Sequence, residues 1–417
     1  MNRDGFLKAG HLPTLIASLL YFDVSFMAWV LLGPVAPFLH DPLHLTATEQ
    51  GLLTAIPLLG GSLFRPVFGI VADRIGGRRT GLIGLTLTLV PLVAGWQIAH
   101  TLSQFYIVGF FLGIAGASFA VALPLASRWY PPEYQGIAMG IAGAGNSGTL
   151  LATLFAPRIA EHFGWSAVFG VALVPVVLVL AVFALLAKDS PQRPAPASMR
   201  QYAAVIRERD TLWLAFLYSL TFGGFVGFSS FFTTFFHEQY QLSRVTAGDL
   251  TTVVVVAGSL LRPVGGWLSD RFGGYRLLVV LLASFAACLA LVIASTSVAV
   301  AVVALFFGMG TLGMGNGAVF QLVPQRFPER IGLVTGVVGA AGGLGGFFLP
   351  TLLGMARDAT GSYSAGLLLV AAFFVAGVAV LLELGATWSR RWAPSAVRQA
   401  GIYSYRAALR SLAGEGM

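Results

Sequence analysis

The stretch Gly61–Arg79, GSLFRPVFGIVADRIGGRR, returns as GSLLRPVGGWLSDRFGGYR at Gly258–Arg276. Twelve of the 19 positions are identical at a constant offset of 197, among them Arg65 with Arg262, Pro66 with Pro263, Asp73 with Asp270 and Arg74 with Arg271. A second correspondence sets Gly136 and Gly140 against Gly332 and Gly336 at an offset of 196. The chain is therefore an internal duplication in parallel orientation. Two copies of one unit, joined by a basic, Pro-containing stretch at 188–210, imply two bundles related by a pseudo-twofold axis along the membrane normal, and equivalent residues then face each other across that axis.

That the units lie in a membrane follows from composition. Of 417 residues 57% are hydrophobic and 10% charged, against roughly 25% charged in an ordinary soluble domain, and the mean hydropathy is +0.82. Apolar blocks of about 20 residues cross a ~30 Å hydrocarbon core as helices, whereas barrel strands alternate over about 10. Twelve spans are expected at 13–39, 50–72, 82–99, 102–127, 136–157, 166–187, 211–236, 248–270, 276–294, 299–322, 332–354 and 365–386. The fold class is thus all-α membrane protein, with an N-terminal six-helix bundle (1–187), a cytoplasmic linker (188–210), a C-terminal six-helix bundle (211–386) and a basic tail (387–417). Cys288 is the only cysteine, which excludes internal disulfides and thiolate metal clusters. No metal and no cofactor is expected.

Basic residues fix the expected orientation, because loops rich in Lys and Arg stay in the cytoplasm. With both termini inside, 20 of the 25 Lys and Arg fall on the cytoplasmic side, from Arg3 and Lys8 through Arg74, Arg128, Lys188 and Arg193 to Arg406 and Arg410. Only Arg158, Arg244 and Arg357 fall opposite. The net charge of +8 is topological, and no nucleic-acid partner is expected. Arg65 and Arg262 belong to neither side because both lie inside spans. An intramembrane charge costs about 2.5–3.5 kcal/mol on insertion scales and marks a polar interior or a pathway. Each precedes its aspartate by eight residues, or about 12 Å of helix, which sets both near mid-membrane. The competing reading is a snorkelling or locally paired arginine in each half. The loops carrying Asp73, Arg74, Asp270 and Arg271 read as cytoplasmic gate clamps that bridge helices.

Spans five and eleven are dense in glycine: GIAMGIAGAGNSG at 136–148 and GLVTGVVGAAGGLGGFFLP at 332–350. Small residues four apart let helices approach closely. The surplus, each glycine costing about 1 kcal/mol in helix propensity, also exposes backbone to whatever passes. Asn146 adds an amide that reads equally as a substrate contact or as a helix–helix hydrogen bond.

On these residues the chain resembles the nitrate/nitrite porters of the major facilitator superfamily. GAGNSG (Gly143, Gly145, Asn146, Gly148) and GAAGGLGGFFLP (Gly339, Gly342, Gly343, Gly345, Gly346) are similar to that family's two nitrate signatures, and the likeness covers essentially the whole chain. The resemblance implies that Arg65 and Arg262 clamp the anion. It also implies that Phe26 in FMAW, Phe119 in GASFA, and Tyr218 with Phe222 in LYSLTFGGFVGF form an aromatic cage with a tyrosine donor. Each aromatic taken alone reads as core packing, since the chain has 32 Phe. The chemistry is consistent: nitrate is planar, monovalent and weakly hydrated, and a guanidinium fork holds such an anion with little desolvation cost.

Asp23, in YFDVSFMAW, is the acid at a depth similar to the arginines. It reads as the proton-coupling residue of a symporter or as a permanent ion pair with Arg65 or Arg262. The expected function is a secondary transporter that imports nitrate or nitrite, with a proton as co-substrate and the lipid bilayer of the inner (plasma) membrane as its surroundings, both termini cytoplasmic and the chain acting as a monomer. The alternatives are nitrate/nitrite antiport, or transport of another small anion such as formate or oxalate. An enzyme is not expected, because no nucleophile–base pair, metal-ligand cluster or phosphate loop stands in the sequence.

Overall fold

The computed structural model describes residues 6, 8–191, 198–328 and 330–402. Arg3, Arg193, Arg406 and Arg410, the stretch 192–197 of the linker and the tail beyond 402 lie outside the described residues. Among the described residues, twelve helices are long and apolar enough to cross a membrane. The first six are α1 (Leu12–Leu43), α2 (Ala47–Ile75), α3 (Gly77–Gln97), α4 (Leu102–Ser127), α5 (Tyr134–Phe163) and α6 (Trp165–Leu186). The second six are α7 (Arg209–Tyr240), α8 (Arg244–Phe272), α9 (Gly274–Ala294), α10 (Val298–Arg326), α11 (Ile331–Thr360) and α12 (Ser364–Arg391). The fold class read from the duplication is the observed one.

Most helices run beyond the apolar block that announces them, because polar caps rather than hydropathy set their ends. At the start of α2 the Thr46 hydroxyl accepts the Glu49 amide at 3.2 Å and the Glu49 carboxylate accepts the Thr46 amide at 2.9 Å. This capping box satisfies two of the donors a helix start leaves unpaired. Thr101 and Gln104 repeat it at α4.

Among the described residues, contacts between α1 and α7, α2 and α11, and α5 and α8 join the halves at the end away from Lys8 and Ile402. On α1 and α7, Gly33 lies against the Ser230 backbone. On α2 and α11, the Asp358 carboxylate accepts from the Ala47 and Thr48 amides at 3.0 and 2.8 Å, so one half caps a helix of the other. On α5 and α8, Arg158 pairs with Asp249 at 2.6 Å, Thr153 bonds Thr252 at 2.8 Å, and Gly248 admits Pro157. Arg244 pairs with Asp41 beside them. At the opposite end, Gly136 and Gly140 on α5, Gly266 on α8, and Gly332 and Gly336 on α11 face open space. These faces are unpacked at the end that carries Lys8 and Ile402, the side on which a cavity between the halves would open.

Candidate functional site

Among the described residues five spans are broken, α1 after Trp29 at Val30–Leu31 and also α4, α5, α7 and α8, and each break lies beside a candidate site residue. In α4 the first segment ends at Gly116 and the second begins at Phe119. The Ala120 amide turns to the Ala117 carbonyl at 3.0 Å, which leaves the Gly116 carbonyl for the Nε of Arg65 at 2.9 Å. In α8, Pro263 has no N–H to give the carbonyl four residues earlier. The helix stops at Leu260 and restarts at Arg262, through Leu261 at φ −85° and ψ 0°. In α7 a π turn spans Ser219–Gly223, a wider turn of the kind found at functional sites, and it stacks Tyr218 on Phe222 at 5.2 Å. In α5 a 3₁₀ turn spans Ala144–Ser147 and carries Asn146.

These breaks bring the sequence-expected arginines and most of the aromatics together. Arg65 is 2% exposed. Its guanidinium carbon lies 4.8 Å from the Trp29 ring, 5.0 Å from Phe222 and 5.3 Å from Phe119. Its Nη1 donates to the Gly339 carbonyl of α11 at 2.6 Å, and its Nη2 is buried with no partner among the described residues. Arg262 stands 5.7 Å from the other side of the cage at Phe119 and 5.8 Å from Phe320, and its Nη1 is likewise buried and unpaired among them. Phe119 thus serves both guanidinium groups. Aromatic faces stabilise a desolvated cation by about 0.5–2 kcal/mol each, which offsets part of the cost of two buried charges. The Tyr218 hydroxyl lies beside both arginines and has no well-aligned hydrogen-bond partner among the described residues. Phe26 stands one ring back, edge-on to Phe222 at 6.3 Å and to Trp29 at 5.1 Å.

Asn146 is fully buried, and neither atom of its amide has a partner among the described residues. An unpaired buried amide costs about 1–3 kcal/mol, which points to a bound ligand or water. Ser147, the next residue, donates its hydroxyl to the Asp23 carboxylate at 2.6 Å. The ion pair expected between Asp23 and an arginine is not the arrangement found: Asp23 bonds Ser147, while Arg65 bonds the Gly116 and Gly339 carbonyls. The reason is the packing of α5 on α1. Gly145 and Gly148 leave no room for a Cβ against the backbone at Asp23, so the carboxylate meets the 3₁₀ turn first. Gly143, by contrast, has only Leu123 at 4.0 Å.

The glycines of α11 fit two neighbours at once. Gly343 lies against Leu58 and Ser62 of α2, and Gly339 against Phe119. Gly342, Gly345 and Gly346 receive Tyr218, Ser219 and Val226 around the π turn of α7. Gly343→Leu should therefore wedge α2 from α11 and abolish transport while the protein still inserts, and Gly145→Leu should do the same between α5 and α1. Transport assays on variants that remain monodisperse check this; undiminished uptake would show that neither close approach is needed.

The four gate residues are not brought together. Asp73 pairs with Arg128 at 2.9 Å and accepts the Tyr202 hydroxyl of the short helix Met199–Arg207 at 3.4 Å. Arg74, Asp270 and Arg271 are exposed, and Arg271 rests over Trp267 and Phe272. At the 197 offset Arg128 corresponds to Gln325, whose neutral amide cannot repeat the ion pair. Residues that the sequence reading did not select are Trp29, Ser147, Asn316 and Phe320. Trp29 could have been found inside FMAW, and Asn316 from its glycine-rich setting GMGNG, close in composition to GAGNSG.

The family model for the Major Facilitator Superfamily matches residues 18–350. The "Probable nitrate/nitrite transporter NarK2" of Mycobacterium tuberculosis is 37% identical over 365 residues, covering 84% of this chain and 90% of that protein. The "Nitrite extrusion protein" of Bacillus subtilis is 36% identical over 376 residues, with 88% and 92% covered. The "Probable nitrate transporter NarT" of Staphylococcus carnosus is 30% identical over 372 residues, with 86% and 92% covered. Among solved structures, the partially occluded inward-open xylose transporter XylE from E. coli superposes with a TM-score of 0.73 at 14% identity, over 90% of this chain and 98% of that one. That likeness concerns the fold alone.

Proposed function

Because the chain belongs to the Major Facilitator Superfamily, and within it to the nitrate/nitrite porters, we propose that it carries nitrate and nitrite across the plasma membrane by alternating access. One observation carries the reading. Two guanidinium groups from equivalent positions of the two halves share one aromatic wall, and each keeps one buried N–H group unpaired. A single planar monovalent anion between them supplies the missing acceptors and cancels one of the two charges. A larger or more strongly hydrated anion gains less from aromatic faces and loses more on desolvation.

With the basic side cytoplasmic, the termini lie inside and the unpacked end faces the cytoplasm, so the helix pairs closed at the far end are the ones that part for loading from outside. The protein acts as a monomer whose site is complete within one chain. In proteoliposomes loaded with nitrate, external nitrate and nitrite should each drive counterflow, while formate and oxalate should not compete at equal concentration. Competition by formate or oxalate as strong as by nitrite would move the substrate assignment to that anion.

Proton-coupled import is the form of transport we favour over nitrate/nitrite exchange, on the placement of Asp23. Asn146 and Ser147 are adjacent in one 3₁₀ turn, the first buried and without a partner among the described residues and the second bonded to the Asp23 carboxylate. Anion capture by Asn146 turns the segment, weakens the Ser147 bond and admits a proton to Asp23. An exchanger conserves charge without any such carboxylate.

A further inference from the structure

The C-terminal half contains a buried amide that the anion site as described does not use. Asparagine occurs three times in the chain, at Asn2, Asn146 and Asn316. Asn316, within the unbroken α10, matches Asn146 in burial and pairing: it is 0% exposed, and neither its Oδ1 nor its Nδ2 has a partner among the described residues.

Its direction follows from its two neighbours. A Cβ on Gly315 would press on Thr221, in the π turn of α7, and a Cβ on Gly317 would press on the Arg262 carbonyl and Gly266, at the break of α8. Successive residues of a helix point about 100° apart. Asn316 therefore bisects those two directions and aims between the π turn and the break, the gap that Tyr218 and Arg262 line. Phe320, four residues on and on the same helical face, confirms the direction: its ring lies 4.8 Å from Tyr218 and 5.8 Å from the Arg262 guanidinium. The duplication gives an independent placement. At the 197 offset Asn316 corresponds to Phe119 as Arg262 does to Arg65, and Phe119 lies 5.3 Å from Arg65. Gly113 with Gly310, Gly116 with Gly313 and Pro131 with Pro328 keep the same register along α4 and α10. Where the first half places an aromatic ring, the second half places an amide at the equivalent position.

We propose that Asn316 is a specificity-determining ligand of the anion, donating its Nδ2–H to the third oxygen of nitrate. The inference rests on the nitrate/nitrite reading of the site and goes beyond it. The other unpaired donors, one N–H group from each arginine, the Tyr218 hydroxyl and one N–H of the Asn146 amide, fill the four lone-pair sites of two oxygens, which is all that nitrite has. Nitrate presents a third, and a buried donor left without an acceptor penalises the anion that lacks it. Asn316 thereby sets the preference for nitrate over nitrite.

Asn316→Leu keeps the branching at Cγ and removes the donor, and Asn316→Ser keeps a hydroxyl too short to reach. Both should raise the nitrate dissociation constant about tenfold and change that of nitrite less than threefold, measured by calorimetry on purified protein. Equal losses for both anions, or an unchanged ratio, would overturn the assignment. Wild-type protein provides a measurement that needs no folded variant. Labelled with [15N]asparagine it has only three side-chain amide signals, and the Asn316 signal should shift with saturating nitrate and move less with nitrite. An Asn316 signal indifferent to nitrate overturns the proposal while leaving the transport reading intact. Wild-type protein that binds neither anion would instead remove the nitrate/nitrite reading itself.

Discussion

Arg65→Lys should weaken nitrate binding and counterflow by about a hundredfold and Arg262→Lys by about tenfold, with both proteins still inserted. The difference comes from what each guanidinium does besides meeting the anion. Arg65 spends its Nε on Gly116 and its Nη1 on Gly339, and keeps the remaining nitrogen buried and unpaired among the described residues. A lysine has one nitrogen for all three tasks. It either satisfies a carbonyl and abandons the anion, or meets the anion and leaves two buried carbonyls without their donor. Two charge-assisted bonds at about 1.5–3 kcal/mol each, partly recovered by relaxation, give the larger loss. Arg262 is half-buried, and its replacement forfeits the planar fork and the stacking on Phe119 and Phe320. Equal effects of the two lysine variants would show that the carbonyl bonds of Arg65 contribute nothing; near-normal uptake by both would remove the clamp altogether.

Asp23→Asn should abolish uphill accumulation of nitrate driven by a pH gradient while retaining nitrate/nitrite counterflow. Asparagine has the shape of the protonated acid and can still accept from Ser147, so the packing of α5 on α1 survives. What it cannot do is exchange a proton with each cycle. An anion that crosses with at least one proton draws on the gradient, whereas an anion that crosses in exchange for another does not. Accumulation in proteoliposomes with an imposed ΔpH, read beside counterflow at equal pH, separates the two. If the variant still concentrates nitrate in proportion to ΔpH, Asp23 is not the carrier and exchange becomes the better account.

The spans were legible because a ~20-residue apolar block leaves a chain few choices in lipid, and the two central arginines were legible because a charge there must be explained. The breaks were not. Hydropathy averages over the π turn at Ser219–Gly223 and the 3₁₀ turn at Ala144–Ser147, each shorter than any window that finds a span. Pro263 announces the break in α8, yet Pro66, its equivalent, sits inside a continuous α2, so the same dipeptide has two outcomes that depend on what packs against it. The partner of Asp23 was missed for a related reason. Depth along a helix can be counted from sequence, but its azimuth cannot, and Asp23 points at α5 rather than at the arginines. Trp29 was passed over among many aromatics; its indole donates to the Pro57 carbonyl at 2.6 Å while its face covers Arg65.

The bond from Arg65 to Gly339 crosses from one half of the molecule to the other. Two bodies that rock against each other move least at their pivot and most at their rims. A 2.6 Å hydrogen bond can persist through such a motion only if it lies close to the axis of rotation, where displacements stay within the slack of the bond. The rim contacts, Asp358 on the start of α2 and Asp41 with Arg244, lie far from that axis and must be made and broken in every cycle. On the proposed placement between the arginines, an anion against the pivot would keep its ligands while the rims exchange theirs, so the cargo would not have to be released and recaptured for the doors to change places.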